Sequence, residues 1–482
     1  MTAPPLAIQV AYLVASVLFI VGLKFLSSPA SARNGNLVAA AGMAVAVIAT
    51  LFLPGLRLTP LLWVGLIAGS IAGMWGARGV KMTDMPQMVA LLNGLGGGAA
   101  ALVSTAEILR AIRFHAEGGT EIADALANMF GGHVRHGASI AELLGVLIGS
   151  ISFAGSIIAF GKLQGLISEK ALTSPLLRFS GIAVLITVVV TGGLSLSNAT
   201  VPVFLVFLIA SLAFGIAMVL PIGGADMPVV ISILNSCTGL AAAATGFVLD
   251  NRALIISGTL VGASGTLLTQ LMCKAMNRSL ANVLFAGVGA QAAPAAGPAG
   301  AKAAAKPVHE VSPEDAALLM GNVRSVIIVP GYGMAVAQAQ HSVRELADLL
   351  AKRGVDVKYA IHPVAGRMPG HMNVLLAEAN VPYPQLFDLE QINPDFEHAD
   401  VALVIGANDV VNPAARTDKS SPIYGMPILD ADKAQHTIII KRSMNPGFAG
   451  VDNPLYYEPR TLMLFGDAKS AVAKLIEALK AA

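Results

Sequence analysis

The first 286 residues contain nine apolar segments of about the length that crosses a lipid bilayer. A spanning helix needs about 20 mostly apolar residues, because the hydrocarbon layer is about 30 Å thick. This feature excludes a soluble globule over that region and predicts a polytopic all-α bundle embedded in lipid. The predicted spans are 5–23, 36–54, 60–77, 86–109, 138–161, 179–195, 201–220, 228–249 and 253–273.

Charge divides the chain into two parts. Residues 1–286 contain 14 Lys and Arg and 9 Asp and Glu, whereas the shorter remainder of the chain contains 17 Lys and Arg and 20 Asp and Glu. This contrast predicts a transmembrane domain over 1–286, an Ala-, Pro- and Gly-rich linker over 287–308 and a soluble domain over 309–482.

The net charge of +2, without a basic stripe, argues against nucleic-acid binding. The two cysteines lie singly in apolar runs, so neither a disulfide nor a metal site is expected.

The distribution of basic residues predicts the orientation of the spans. Lys and Arg are enriched in cytoplasmic loops. Nine of them fall in odd-numbered loops and five in even-numbered loops, counted from the predicted spans. This bias places the C-terminal domain on the cytoplasmic side.

A glycine-containing turn follows the first predicted strand of the C-terminal domain, Val323–Val329. The turn, Gly331 to Val336, precedes a segment of helical periodicity, Ala335–Lys352. In a dinucleotide fingerprint the first glycine permits a tight turn, and the second lets the backbone approach a pyrophosphate at the helix N-terminus. Val336 replaces the third glycine and suits close helix–strand packing. The pattern predicts a doubly wound α/β domain of about six strands, resembling a Rossmann fold.

Residues at later strand ends favour NADP over NAD. An NAD site usually has an acid at the end of the second strand, but here that end reads His362 to Arg367, without one. The strand His436–Ile440 is followed by Lys441, Arg442 and Ser443. Two cations and a hydroxyl suit a 2′-phosphate, although the same residues could form a solvated basic turn.

Two further strand ends carry polar residues. Val401–Ile405 is followed by Gly406 to Asp409, and Thr461–Leu464 by Phe465 to Lys469. Open α/β sheets bind ligands at the carboxyl ends of their strands, so both segments are candidates for the crevice. Each could instead be an Asx turn or a helix cap, and Asp467 in particular suits a cap.

Polar residues also occur in and beside the predicted spans. Such groups are costly in lipid and are expected to face the bundle interior. There they could line a proton path or form interhelical hydrogen bonds, worth about 0.6 kcal/mol each on average. Those near span ends could couple the path to the soluble domain or be interfacial charges. The candidates are Asn93, Asn235 and Ser264 within spans, and Asp84, Asp226 and Arg278 near span ends.

Longer segments resemble one known family. The segments 330–340, 361–379, 404–415, 441–455 and 465–470 are similar to the NADP(H)-binding domain of the proton-translocating NAD(P) transhydrogenase beta subunit. The membrane part is similar to that subunit as well, and the segments concerned are 82–93, 155–163, 223–236 and 273–279.

The resemblance implies a nucleotide site on this chain. Lys441, Arg442 and Ser443 would hold the 2′-phosphate of NADP(H), and the segment 447–455 would fold over the nucleotide. Family members often carry Tyr where this chain has Phe448. The implied nucleotide-binding residues are Gly331, Tyr332, Gly333, Met334, Ala335, Val336, His362, Val364, Ala365, Gly366, Arg367, Gly406, Asn408, Asp409, Lys441, Arg442, Ser443, Met444, Gly447, Phe448, Gly466, Asp467, Ala468 and Lys469.

The resemblance also implies an activity. Hydride would pass directly and with Re/Si specificity between NAD(H) on an alpha subunit and NADP(H) on this chain, with no catalytic side chain, coupled to proton movement. The alpha subunit would carry the NAD-binding domain, because this chain shows a single dinucleotide motif. The complex would be a dimer of alpha–beta units in a bacterial inner membrane.

The proton path departs from part of the family. Some members carry a histidine where this chain has Asn93, and all nine histidines here lie outside the predicted spans. The partner's helices, or water and acids at the span ends, would have to carry the proton. Two alternatives to this activity are a transporter or channel gated by an NADP-binding domain, and a membrane anchor for a soluble dehydrogenase.

Overall fold

The computed structural model describes residues 5–54, 56, 58–116, 133–168, 171–172, 174–197, 200–277, 279–284, 307–368, 370–447 and 449–481. The chain divides into two compact units, Met1–Thr269 with Val283–Val288 and Gln270–Asn282 with Gly289–Ala482. Most of the predicted linker lies outside the described residues, as do Arg278 and Phe448.

Nine long apolar helices lie between Leu6 and Ala275 in the described residues, which confirms the predicted helical bundle. They are α1 (Leu6–Leu26), α2 (Pro29–Leu51), α3 (Pro60–Gly79), α4 (Met85–Ala116), α5 (His133–Leu163), α6 (Pro175–Ser197), α7 (Val201–Val219), α8 (Met227–Val248) and α9 (Arg252–Ala275).

Several helices are longer than their apolar segments. Helix α2 begins at Pro29 rather than at residue 36, because a proline in the first turn has the dihedral angle that a helix needs and loses no hydrogen bond there. Helix α4 continues to Ala116, and α5 begins at His133, so both ends of the predicted loop 110–137 are helical. Hydropathy detects the part of a helix that suits lipid, not its polar ends.

Helix pairs in the membrane unit approach each other at backbone distance. A Cβ on Gly239 of α8 would lie 2.4 Å from the amide nitrogen of Gly262 in α9. A Cβ on Gly149 of α5 would lie 2.6 Å from the carbonyl oxygen of Gly97 in α4. Close packing of this kind holds helices together where lipid tails remove any hydrophobic drive between them.

The C-terminal unit contains a seven-stranded parallel sheet within the described residues. The sequence predicted about six strands and located five of them. The two that it did not locate are the short strands at the two edges of the sheet, of two and three residues. The strands are β1 (His309–Glu310), β2 (Ser325–Pro330), β3 (Asp356–Ile361), β4 (Leu386–Asp388), β5 (Val401–Ile405), β6 (His436–Lys441) and β7 (Thr461–Phe465).

The strand order β1-β7-β6-β5-β2-β3-β4 explains where a ligand can bind. After β2 the chain adds β3 and β4 on one side, then crosses back to add β5, β6 and β7 on the other. The connections that follow β2 and β5 therefore lead to opposite sides of the sheet, and the carboxyl ends of these two strands border a crevice at this switch point. Helix α10 (Leu280–Leu284) precedes this domain in the chain. The helices between and after the strands are α11 (Pro313–Gly321), α12 (Tyr332–Val336), α13 (Gln340–Lys352), α14 (His371–Glu378), α15 (Leu389–Ile392), α16 (Ala414–Thr417) and α17 (Ala468–Ala481).

Candidate nucleotide-binding crevice

The turn after β2 contacts the turn after β5 directly. The amide of Gly331 donates to the carbonyl of Ile405, and that of Gly333 to the carbonyl of Gly406, both at 2.9 Å. A Cβ on Gly331 would lie 2.4 Å from the amide nitrogen of Ala407, and one on Gly333 would lie 2.7 Å from Cα of Gly406. Gly406 itself has a φ of +64°. The glycines at this turn are therefore required by the close approach of two backbone segments.

The helix that follows the turn is shorter than predicted. The sequence predicts one helix over Ala335–Lys352, but α12 ends at Val336 and α13 begins at Gln340. Gln338 adopts a φ of +50°, and the amide of Ala339 donates to the carbonyl of Met334 at 3.1 Å. This is the hydrogen-bond pattern that ends a helix. Val336 is 43% exposed, so it does not pack between helix and strand as predicted.

The segment after β3 brings Arg367 to the turn after β2. Its guanidinium carbon lies 4.7 Å from the centre of the Tyr332 ring, within the range of a cation–π contact. Gly366 adopts a φ of +105°, and the amide of Arg367 donates to Nδ1 of His371 at 3.1 Å. Two predicted site residues from different strands, Tyr332 and Arg367, are thus neighbours.

His362 differs from its prediction as a residue lining the crevice. It is only 2% exposed, and burial lowers its pKa to about 4, so the imidazole is neutral at physiological pH. Its Nδ1 accepts from the amide of Val364 at 3.2 Å, which leaves the proton on Nε2, 2.7 Å from the carbonyl of Pro427. Both ring nitrogens are therefore engaged by the backbone, and His362 shapes the turn that carries Val364 to Arg367.

Gly447 and residues 449–455 lie against the end of β5. A carboxylate oxygen of Asp409 accepts from the amide of Ala449 at 3.0 Å, and Nδ2 of Asn453 donates to Oδ1 of Asn408 at 3.2 Å. A Cβ on Gly447 would lie 2.6 Å from Oδ1 of Asp409. This segment therefore covers the two polar residues that follow β5.

The three residues predicted to bind a 2′-phosphate differ in their environments. Lys441 is half-buried, and burial lowers its pKa against the opposing effect of the Asp409 and Asp452 carboxylates. Arg442 and Ser443 are exposed, and neither forms a hydrogen bond or ion pair with another described residue. An exposed guanidinium and hydroxyl next to a half-buried ammonium can receive an anion without breaking existing contacts. Met444, the next residue, packs partly against the core.

The segment after β7 caps a helix. Oδ1 of Asp467 accepts from the amide of Lys469 at 3.1 Å, and the Asp467 carbonyl accepts from Ala471 at 2.8 Å. Asp467 is thus the N-cap of α17. Ala468 is buried, and the amide of Gly466 donates to the carbonyl of Lys441 at 3.0 Å, joining the ends of β7 and β6.

Sequence reasoning gave no individual role to three residues beside the crevice. Tyr456 is 1% exposed and contacts Lys441, and Asn453 is fully buried. Asn412, also fully buried, donates to the carbonyl of Asp452 at 3.1 Å. The available signal was an asparagine directly before a proline at 412 and at 453, a combination that favours turns.

In the membrane unit, Asn93 faces the bundle interior as predicted. It is 8% exposed, and its Nδ2 donates to the carbonyl of Ile231 in α8 at 3.3 Å. Thr238 of α8 donates to the carbonyl of Asn93 at 3.0 Å and lies 2.5 Å from the hydroxyl of Ser152 in α5. A polar cluster therefore joins α4, α5 and α8, and the sequence identified only one of its members.

For the other membrane candidates, the structure shows contacts within one helix or positions at a helix end rather than a polar cluster between helices. Asn235 is half-buried, and the hydroxyl of Ser264 donates to the carbonyl of Val261 in its own helix at 3.1 Å. Asp84 and Asp226 each directly precede a helix, α4 and α8, where a carboxylate is favoured by the positive end of the helix dipole.

Lys162 is not the loop residue that the sequence predicts. The orientation argument places it in an odd-numbered loop, but it lies in α5 and is fully buried. Its ammonium donates to the carbonyls of Leu220 and Ile222, both at 2.6 Å, and thereby satisfies the C-terminal end of α7.

Comparison with known proteins decides the family. A family model described as NAD(P) transhydrogenase beta subunit matches residues 8–478. The chain belongs to this family. Two relatives named NAD(P) transhydrogenase subunit beta, one from Rhodospirillum rubrum and one from a specified strain of that organism, are each 51% identical over 470 residues. The match covers 97% of this chain and 98% of each relative.

Family membership agrees with the architecture. The chain is a membrane protein and a transhydrogenase beta subunit, with nine apolar helices in the described residues followed by a parallel α/β domain. The term beta subunit implies that an alpha subunit is its partner.

Proposed function

We propose that this chain binds NADP(H) at the carboxyl edge of its parallel sheet and exchanges hydride with NAD(H) bound to an alpha subunit. The observation that carries the proposal is the group of Lys441, Arg442 and Ser443 at the end of β6. Arg442 and Ser443 have no hydrogen-bond or ion-pair partner among the described residues, and no acid follows β3 to occupy the ribose 2′ position.

The side chains of the crevice bind and orient the nucleotide. Arg442 and Lys441 would neutralise the 2′-phosphate, because a guanidinium and an ammonium both donate hydrogen bonds to phosphate oxygens. The turn after β2, with Arg367 stacked on Tyr332, would border the pyrophosphate. Segment 447–455 and the turn Gly466–Lys469 would close over the nucleotide and exclude water. The nicotinamide ring itself supplies the hydride acceptor, so no side chain needs to act as an acid or base.

The membrane unit is proposed to couple this exchange to proton movement. Asn93, with Ser152 and Thr238, provides hydroxyl and amide groups in the bundle interior that can hold water. Asn235 and Ser264 would extend the path, and Asp84, Asp226 and Arg278 would link it to the nucleotide domain. Because coupling is reciprocal, bound NADP(H) must then change the proton affinity of the path. Re/Si specificity, a dimer of alpha–beta units, a bacterial inner membrane and a cytoplasmic nucleotide domain belong to the same proposal.

The decisive experiment uses proteoliposomes that contain this chain and its alpha subunit. Hydride transfer from NADH to an NADP⁺ analogue is followed by absorbance with a proton gradient and after its collapse by an ionophore. Moving one charge through 100 mV supplies about 2.3 kcal/mol, so each proton moved should shift the equilibrium ratio by about 50-fold. A rate and ratio that do not respond to the ionophore would contradict coupling. NADP-dependent solute flux without redox change would instead favour the gated transporter.

A leucine at Asn93 should separate coupling from nucleotide binding. We expect Asn93→Leu to slow coupled turnover about tenfold, because it removes the carboxamide proposed to hold water in the bundle interior. NADPH affinity should stay within about twofold, since the crevice is untouched. Both are measured in the same proteoliposomes.

Two further variants make this result specific. Asn93→Ser replaces the carboxamide with a hydroxyl, which is still polar, and should retain more coupled activity than Asn93→Leu. Thr259→Val is the control: that side chain is exposed, and among the described residues its hydroxyl donates only to the carbonyl of Ile255 in its own helix, at 2.8 Å. Normal coupled rates in Asn93→Leu would show that Asn93 serves packing alone.

A further inference from the structure

We propose that Tyr456 is a positioning residue for NADP(H): its hydroxyl holds the Lys441 ammonium through a hydrogen-bond chain that ends on Asn408. This inference rests on the proposed function, because it assigns Lys441 to the 2′-phosphate. Tyr456 lies beyond segment 447–455 and outside every residue that the sequence assigned to the nucleotide.

The direction of each hydrogen bond follows from the donors and acceptors present. The ammonium of Lys441 can only donate, and it lies 3.1 Å from the Tyr456 hydroxyl oxygen. The single proton of that hydroxyl is then directed to Oδ1 of Asn408, 2.6 Å away. Oδ1 also accepts from Nδ2 of Asn453 at 3.2 Å, which fixes the orientation of the carboxamide. This chain of hydrogen bonds therefore runs from Lys441 through Tyr456 to Asn408, and it joins the ends of β6 and β5.

Burial shields the centre of this hydrogen-bond chain from water. Tyr456 is 1% exposed, and Asn453 is fully buried. Burial raises the pKa of Tyr456, so the phenol keeps the proton that it donates to Asn408. The ammonium also lies 4.5 Å from the centre of the Tyr456 ring, a distance at which the ring attracts a cation. Tyr456 thus offers Lys441 both an acceptor and an aromatic surface.

A held ammonium binds a phosphate better than a mobile one. A lysine side chain has four rotatable bonds, and fixing it on binding costs conformational entropy. The bond to Tyr456 uses one of the three N–H groups of Lys441, and the other two have no partner among the described residues. These two can donate to a phosphate while the third keeps the side chain in place. Affinity for the phosphorylated nucleotide should therefore depend on the hydroxyl of Tyr456, whereas affinity for NAD(H) should not.

The test is Tyr456→Phe in the full chain, reconstituted in lipid nanodiscs and titrated with NADPH and with NADH by nicotinamide fluorescence. The variant keeps the buried ring and removes only the oxygen. We expect NADPH to bind about tenfold more weakly, as for the loss of one hydrogen bond to a charged group, and NADH to change less than about twofold. With the alpha subunit present, KM for NADPH should rise while kcat at saturation stays the same.

Tyr457→Phe is the matched control. Tyr457 is the next residue, and its hydroxyl lies 3.2 Å from a carboxylate oxygen of Asp452 rather than near Lys441. Removing it should change NADPH affinity by less than about twofold. A loss equal to that of Tyr456→Phe would overturn the proposal, because it would show a general effect of hydroxyl removal on this segment.

A double-mutant cycle with Lys441→Met separates positioning from general stability. If Tyr456 acts through Lys441, the double variant binds NADPH no more weakly than Lys441→Met alone. Additive losses, or unchanged NADPH affinity in Tyr456→Phe, would overturn the proposal.

The single variants also distinguish this proposal from the proposed function on which it rests. If Lys441→Met and Arg442→Ala leave NADPH affinity unchanged, the proposed 2′-phosphate site is wrong. If these two variants weaken NADPH binding and Tyr456→Phe does not, only the role of Tyr456 is wrong.

Discussion

Replacing Arg442 with alanine is expected to weaken NADP(H) binding by about 10- to 100-fold and to leave NAD(H) binding nearly unchanged. Hydrogen bonds to charged groups contribute about 1.5 to 3 kcal/mol, and each 1.4 kcal/mol is a factor of ten in affinity. Arg442 is exposed and makes no ion pair with another described residue, so its removal leaves no partner group unsatisfied. The loss should therefore appear in binding and not in folding stability.

Equilibrium titration with both nucleotides on the full chain measures this difference. Arg442→Lys should fall between wild type and alanine, because an ammonium keeps the charge but not the fork of donors. Arg460→Ala is the control. Arg460 is also exposed, but it directly precedes β7 and therefore lies at the amino ends of the strands, whereas the crevice lies at their carboxyl ends. Equal losses for NADP(H) and NAD(H) in Arg442→Ala would remove Arg442 from the 2′-phosphate site.

Gly331→Ala is expected to destabilise the nucleotide domain by about 3 kcal/mol, the upper part of the range for overpacking. The added Cβ would lie 2.4 Å from both the amide nitrogen of Ala407 and the carbonyl oxygen of Gly406. Both atoms belong to the backbone of the segment after β5, which cannot move aside as a flexible side chain would. The turns after β2 and β5 would have to separate, and the crevice that they border would lose its shape.

Calorimetry of the full chain in nanodiscs, with and without NADPH, measures this effect. A loss of 3 kcal/mol should lower the midpoint of the nucleotide-domain transition by about 6 to 12 °C. Gly321→Ala is the control, because its new Cβ would meet the ends of two side chains, Arg353 at 3.1 Å and Leu479 at 3.4 Å. A midpoint for Gly331→Ala close to that of Gly321→Ala would show that the two turns can relax.

The strands of the nucleotide domain could be predicted because their signals are local. Parallel strands are buried on both faces and form nearly continuous apolar runs, such as Val401–Ile405, whose bounds agree with the sequence prediction. The two-residue strand β1 carries no such run, because both of its residues are exposed at the sheet edge. Its strand conformation depends on pairing with β7.

The helix after β2 could not be predicted from its periodicity. The apolar spacing of Ala335–Lys352 continues through the break, so it suggests one helix. The break at Gln338 depends on a residue in the left-handed region that is not a glycine. A non-glycine residue adopts that conformation only when the rest of the structure compensates its cost, and apolar periodicity carries no signal of that compensation.

Side-chain roles were the hardest feature to predict. His362 follows β3 as a crevice residue would, yet burial lowers its pKa and backbone groups occupy both nitrogens. Lys162 follows an apolar segment as a loop cation would, yet its ammonium satisfies carbonyls near the end of α7. In both cases the partner lies about 60 residues away in sequence, so no local pattern contains it.

The sequence by itself determined that this chain has an apolar helical bundle and a parallel α/β domain, because hydropathy and periodicity are properties of consecutive residues. It also determined the family, since long segments match over nearly the whole chain. Only the tertiary structure decided which side chains meet: Tyr456 with Lys441 and Asn408, and Asn93 with α8. Such contacts depend on distances between residues far apart in the chain, and a packed fold sets those distances through its whole set of contacts.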